Sequence, residues 1–268
     1  MSTTTATAVT DRPVVLTAPS NVVRDTAIVF GRELRPVLRD PFSVVFSMIQ
    51  PLVFLGLFAP LLGNVPGLAG GALQWFVPGI VVMSCLFGAS MTGSNLLFEM
   101  QTGSHERQLV TPTSRSALLM GRALKEIVPV LVQAVIVVAV VVPFSFELHV
   151  AGTVVGLVML SVFCIGLGSL SYALALAAKG ADWIFWTVQQ TLLFPILLLA
   201  GMLLPVDSGP GWLQTASKAN PLTYVVDAER ALFAGSFDGS TVAAGFVAAA
   251  LVCAFGLLVG ARAMRAAD

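Results

Sequence analysis

The chain is poor in charge. Of its 268 residues, 10% are Asp, Glu, Lys or Arg and 57% are hydrophobic, whereas a soluble domain carries roughly 25% charged residues. With 14 basic and 14 acidic side chains, the surface of a 28.0 kDa globule could not be wetted, and the mean hydropathy is +0.91. Soluble classes are excluded. An excess of one sign is also missing, since the net charge is zero; phosphate binding needs a basic surface, so no nucleic-acid partner is expected. Cysteine is scarce: Cys85, Cys164 and Cys253 stand far apart inside apolar runs with neither histidine nearby in sequence. They read as small buried hydrophobes rather than disulfide or metal ligands.

Catalytic constellations are missing as well. His105 and His149 are expected on opposite faces of a membrane, Gly88-Ala89-Ser90 is followed by no glycine, and no two-histidine helix motif or inward carboxylate pair occurs. No Gly-x-x-x-x-Gly-Lys-[Ser/Thr] phosphate loop is present, and no stretch reads as a nucleotide-binding domain. The chain is not expected to be an enzyme, to hold a cofactor or to bind a metal; any ATP hydrolysis has to come from another chain.

Long apolar runs are abundant. A spanning helix needs roughly 20 mostly apolar residues, and six runs qualify, at about 42–63, 73–98, 122–143, 150–178, 183–204 and 241–261. The Gly63, Asn64, Pro66, Gly67, Gly70, Gly71 cluster divides the first two. No acidic or basic side chain stands at the middle of any run, where a charge costs roughly 2.5 to 3.5 kcal/mol and is kept only for use. That counts against coupling to an ion gradient. Glu99 and Glu126 fall at the inner ends of the second and third runs, within reach of water or Arg122.

Lys and Arg favour the cytoplasmic side. On the six-span arrangement one side receives Arg12, Arg24, Arg32, Arg35, Arg39, Arg107, Arg115, Arg122, Lys125, Lys179, Arg262 and Arg265, and the other only Lys218 and Arg230. Both termini are therefore expected in the cytoplasm of a multi-pass cell-membrane protein, with 205–240 outside. Residues 1–20, rich in Thr and Ala, lack the basic start and apolar stretch of a signal peptide and are expected to be a disordered tail. From 21 to 40, Val23, Ala27, Phe30, Leu34 and Val37 recur every three or four residues while charges take the other faces. This predicts an amphipathic helix along the inner interface, kinked or ended by Pro36. The remainder, 41–268, forms one transmembrane domain.

Between the second and third runs lies a charged loop in which Ser104 can start a short helix through Glu106, Arg107 and Leu109 that Pro112 stops. Held between two spans, such a helix would act as a stiff lever. The segment GSHERQLVTPTSRSALLMGRALKE resembles the cytoplasmic signature of ABC-2 type transporter permeases at Gly103, Glu106, Arg107, Leu109, Pro112, Ser114, Arg115, Gly121 and Arg122. A second segment resembles that family's exit from its fifth span at Gly201, Pro205, Pro210, Trp212, Leu213, Asn220, Pro221, Tyr224, Asp227, Arg230 and Gly235. The likeness covers the chain from about residue 22 onward and is similar to the membrane subunit of daunorubicin-resistance-type exporters. There are departures: Met100, Gln101 and Thr102 stand where an acidic-basic pair is common, and Glu229 where an apolar residue is common.

The resemblance implies an all-α integral membrane fold and a coupling helix, carrying Gly103, Glu106, Arg107, Leu109, Pro112 and Arg115, seated in a separate ATPase subunit that binds ATP and Mg. The segment after the fifth span is apolar although it follows a completed crossing. It is expected to form two short helices broken at Asn220-Pro221 that re-enter the outer leaflet and gate the exit with Trp212, Asn220, Pro221 and Tyr224. Three stripes are candidate substrate pathway: Phe46, Gln50 and Phe54; Phe87, Ser90 and Ser94; Gln189, Gln190 and Phe194. Each also fits plain helix packing. Gly152, Gly156, Gly166 and Gly168 read as sites of close helix approach.

Six spans are too few to enclose a pathway, so a second permease chain, identical or not, and two ATPase copies are expected. The cargo would be hydrophobic or amphipathic and of drug type, with a lipid or lipid-linked glycan as the alternative and membrane lipids as neighbours. An anchor or assembly protein without transport accounts for neither motif.

Overall fold

The computed structural model describes residues 21–62, 71–109, 114–144, 146–206 and 209–266. The expected disordered tail, most of the Gly-rich turn after the first run, and Pro112 lie outside the described residues. Among those described, eleven α-helices and one 3₁₀ turn account for the regular structure. They are α1 (Val22–Arg39), α2 (Pro41–Ser47), α3 (Ile49–Leu62), α4 (Ala72–Gln101), α5 (Ser104–Leu109) and α6 (Arg115–Val141), followed by the 3₁₀ turn Val142–Phe144. Then come α7 (Val150–Ala177), α8 (Asp182–Leu199), α9 (Gly211–Ala219), α10 (Pro221–Phe233) and α11 (Gly239–Ala266).

Five helical stretches are long and apolar enough to cross a membrane: Ala72–Gln101, Arg115–Phe144, Val150–Ala177, Asp182–Leu199 and Gly239–Ala266. The first of the six expected spans is not one helix. It is α2 and α3, interrupted at Met48, because Pro51 has no N–H to return to the Ser47 carbonyl and its ring crowds that oxygen. Across the break, the Gln133 amide of α6 donates to Ser47 Oγ at 2.5 Å. Of the two outcomes expected at Pro36, a kink or an end, the helix does not end there: α1 runs through it to Arg39, with the Asp40 N–H bonded to the Pro36 carbonyl. So near the C-terminal end, the proline removes a single ladder bond, to Arg32, and the last turn closes without it.

α4 and α7 form the inside of the bundle. The apolar stretch of α4 is 72% buried, whereas those of α8 and α11 are 22% buried. On α11, Val247, Leu251, Phe255 and Leu258 recur at three or four residues on an exposed face, as expected of a helix turned toward lipid. Close approach to α7 depends on glycine: a Cβ on Gly256 of α11 would stand 2.1 Å from the Gly166 carbonyl oxygen, and one on Gly152 would stand 1.9 Å from that of Leu232 on α10. α1 packs against α6, with Val29 buried against the Gly121 position. Cys85 and Cys164 are buried free thiols and Cys253 is partly buried.

Candidate functional site

Two polar assemblies mark the opposite ends of α4. The first begins where α4 stops. Gly103 adopts φ +65°, a left-handed position that costs a side chain strain, and the chain turns there into α5. Arg107 folds back over this turn, donating to the Gly103 and Thr102 carbonyls at 3.2 Å each. Six residues make under two turns of helix, which splits α5 into two faces. His105 and Gln108 point toward the bundle, while Glu106 and Arg107 are exposed. Glu106 lies 3.9 Å from Lys179 Nζ, a solvent-exposed pair worth little in itself. His105 is buried and its Nδ1 has no hydrogen-bond partner. Burial, and secondly the charge of Arg122, lower its pKa to about 4, so the ring is neutral.

Arg122 of α6 is the centre of this assembly. It is 4% exposed and donates to Glu99 of α4, to Gln108 of α5 at 2.7 Å and to the Tyr172 hydroxyl of α7 at 3.4 Å. Its guanidinium also lies 5.4 Å from the Tyr172 ring centroid and 4.0 Å from Glu33 of α1. Gln108 in turn donates to Glu99 at 3.3 Å. Five helices therefore meet at one planar cation, whose fork can serve several acceptors at once. Glu126 does not reach Arg122. Its carboxylate pairs with Lys125 at 2.7 Å and accepts from Asn95 at 3.4 Å. Arg115 donates to the Met264 carbonyl at 3.3 Å, tying α6 to the end of α11.

At the other end of α4, α9 and α10 form a helical hairpin broken at Asn220-Pro221. Asn220 caps α10 by accepting from the Leu222 N–H at 3.1 Å, and its amide donates to the Ile196 carbonyl of α8 at 2.7 Å; Pro221 supplies the first helical position, where no N–H is needed. The Tyr224 hydroxyl donates to the Lys218 carbonyl at 2.8 Å, closing the hairpin. Trp212 is 70% exposed. Arg230 anchors α10 to the bundle. Its guanidinium lies 3.8 Å from the Trp75 ring centroid, donates to the Trp75 carbonyl at 3.2 Å and to the Gly201 carbonyl at 2.7 Å, and pairs with Asp227 at 3.7 Å. Gln74 donates to the Phe233 and Glu147 carbonyls and accepts from the Glu147 N–H. Asp238 accepts from Ser240 and Thr241 at the start of α11, which holds its carboxyl below the usual carboxylate range.

The pathway candidates are distributed rather than gathered. Phe46 and Gln50 are exposed, and Phe54 stacks on Phe58, which stacks on Phe76 of α4 at 5.8 Å. Phe87 is half-buried. Ser90 is buried and bonds the Leu86 carbonyl of its own helix at 2.8 Å. Ser94 Oγ and Gln189 Oε1 are buried without a partner, whereas Gln190 and Phe194 are exposed. Beside α3, a cavity of about 660 Å³ is lined by Leu52, Leu55, Leu73, Val140 and Phe144 among others.

Sequence reasoning put Glu99 within reach of Arg122, and the two do pair, but it did not find Gln108, Tyr172 or Glu33 beside them, nor Gln74, Trp75 and Arg230 as a cluster; these contacts are set by tertiary packing and leave no periodic trace. Glu229 did leave one. It falls in the stripe Leu222, Val225, Val226, Leu232, Phe233 that α10 buries.

A family model described as ABC-2 type transporter matches residues 24–234. Among curated relatives, the daunorubicin resistance ABC transporter permease protein DrrB1 of Streptomyces coeruleorubidus is 25% identical over 230 residues, 83% of this chain and 81% of its own. A protein of Mycobacterium tuberculosis named for doxorubicin resistance, the ABC transporter permease DrrC, is 26% identical over 278 residues, 98% of each chain. A protein of Cyanophora paradoxa named as a transport permease, ycf38, is 29% identical over 220 residues, 80% of this chain and 76% of its own.

Proposed function

The chain belongs to the ABC-2 type transporter family, and from that premise we propose that it is the membrane subunit of an ATP-driven exporter moving a hydrophobic or amphipathic small molecule of drug type out of the cell. The observation that carries the reading is the Arg122 cluster. A short helix with an exposed acidic-basic face is joined through one buried cation to α1, α4, α6 and α7. A push on the Glu106–Arg107 face by a partner would therefore displace several helices together. Likeness to proteins named for daunorubicin and doxorubicin resistance supports the substrate class.

In this reading α2 and α3 together make the first of six crossings, and the Arg122 end faces the cytoplasm with both termini. The α9–α10 hairpin dips into the outer leaflet as the exit gate. ATP and Mg are bound by a separate ATPase, in two copies, and a second permease chain completes the pathway from the stripes of Phe46, Gln50 and Phe54, of Phe87, Ser90 and Ser94, and of Gln189, Gln190 and Phe194. ATPase binding of nucleotide would drive the coupling helices, converting an inward opening to an outward one. A lipid cargo is the second reading, favoured by the cavity beside α3, whose lining of Leu, Val and Phe suits an acyl chain reaching it sideways from the bilayer.

Pull-down in mild detergent is expected to recover an ATPase chain; its absence would remove the energy source from this reading. With the complex in hand and daunorubicin as the probe, changing Glu106→Ala and Arg107→Ala together is expected to lower stimulated ATP hydrolysis at least about fivefold. Unchanged stimulation would remove the coupling assignment. Stimulation by phospholipid alone would select the lipid reading.

A further inference from the structure

Glu229 is a carboxyl with nothing to bond. It is 0% exposed, and neither of its oxygens has a hydrogen-bond partner. It sits where α10 presses on α7: a Cβ placed on Gly156 would lie 2.3 Å from one carboxyl oxygen and 3.0 Å from the other. The missing side chain at Gly156 is thus the space that the carboxyl fills. On the third side, a Cβ on Gly245 of α11 would meet the Ala228 Cβ at 2.3 Å, so α10 is held between two glycine-bearing helices. A buried carboxylate without a counter-charge is strongly disfavoured, and such a group keeps its proton.

The charged and titratable groups near this end of the bundle do not relieve it. On α10 itself, Asp227 and Arg230 pair with each other, and the Tyr224 hydroxyl bonds the Lys218 carbonyl of α9. His149, at the start of α7, faces the Phe233 carbonyl. Cys164 of α7 lies near Cys85 of α4, and Cys253 on α11 is a partly buried free thiol. None of them bonds the Glu229 carboxyl. Burial is the one cause acting on it, and pushes its pKa up to about 8.

We propose that Glu229 is a proton-binding site built into the α7–α10 interface, holding its proton while α10 is seated on Gly156 and releasing it to outside water when α10 lifts away. On release the O–H bond breaks, its electron pair stays on the carboxylate, and the proton passes to water. The inference rests on reading α9 and α10 as an outer gate, and it adds an external ligand to that gate. The sign follows from linkage. The seated state holds the proton more tightly than an exposed glutamate of pKa about 4.3, so seating is strongest below that value and weakens about tenfold per pH unit until about pH 8. External acid closes the gate; external base frees it.

The test uses the full chain in phospholipid vesicles, wild type beside Glu229→Gln, which keeps the shape but cannot ionise, and Glu229→Leu, which removes the polar group. Infrared difference spectra near neutral pH should show a protonated-carboxyl C=O band that both variants lack. Its absence from the wild type would overturn the proton site. Hydrogen exchange of the segment 221–233, corrected for the intrinsic pH dependence, should rise roughly a hundredfold between about pH 6 and pH 9 in the wild type and stay flat in either variant. A carboxyl band together with equal exchange in wild type and variants would overturn the link to gating. Neither readout requires transport or an ATPase, so failure of the exporter reading shows itself separately in the pull-down.

Discussion

Arg230 of α10 lies over the ring of Trp75 of α4, its guanidinium 3.8 Å from the ring centroid, while the same group donates to the Trp75 and Gly201 carbonyls. The contact joins the hairpin to the first turn of the innermost helix and to the chain leaving α8. A lysine can sit over an indole face, but it has no fork with which to serve two carbonyls from that position. Arg230→Lys is therefore expected to lose about 1 to 3 kcal/mol of stability, close to the loss from Arg230→Ala. A thermal-shift series in detergent checks this, and full rescue by lysine would show that charge alone holds the hairpin.

Under the proposed coupling role, variants of the Arg122 cluster should separate stability from communication. Removing Arg122 leaves Glu99 without its cation in a largely buried setting, and breaking such a pair costs on the order of 3 kcal/mol. Replacing both partners with apolar groups of similar volume is often nearly neutral. Arg122→Met together with Glu99→Leu is thus expected to melt close to the wild type, whereas Arg122→Met alone melts well below it. The double variant still lacks the bonds from Arg122 to Gln108 and Tyr172. Stimulated ATP hydrolysis in the assembled complex should consequently stay low although the fold is restored. Recovery of both properties would remove the Arg122 cluster from the proposed coupling role.

Much of this arrangement is legible in the sequence, and the parts that are not share a cause. Apolar length marks α4, α6, α7, α8 and α11, and Asn220, between Ala219 and Pro221, announces the hairpin break through its capping chemistry. Pro51 carried the signal for the interruption at Met48, but a run judged by hydropathy alone passes over it. As a stop signal Pro36 misled in the opposite direction, because a proline one turn from a helix end removes a single ladder bond. What periodicity cannot disclose is which distant residues meet: Glu33 and Arg122, or Trp75 and Arg230, are paired by tertiary packing. Glu229 stands between these cases. The spacing of Leu222, Val225, Val226, Leu232 and Phe233 puts it on the buried face, while its lack of a partner is visible only once α7 is in place.

His105 makes the Arg122 end sensitive to acid. Its ring is buried on the inward face of α5 and held neutral, its pKa lowered to about 4, chiefly by burial and then by the Arg122 charge. An unfolded histidine protonates near pH 6.5. Between those values the unfolded chain takes up a proton that the folded chain refuses, so stability present above about pH 6.5 falls as the pH drops toward about 4. His105→Leu fills the same buried position without a titrating group, and its melting temperature should decline less steeply across that window. The same substitution leaves Glu106 and Arg107 on the exposed face, so under the proposed coupling role stimulated ATP hydrolysis near neutral pH should persist. Parallel acid slopes in the variant and the wild type would place the sensitivity elsewhere in the cluster.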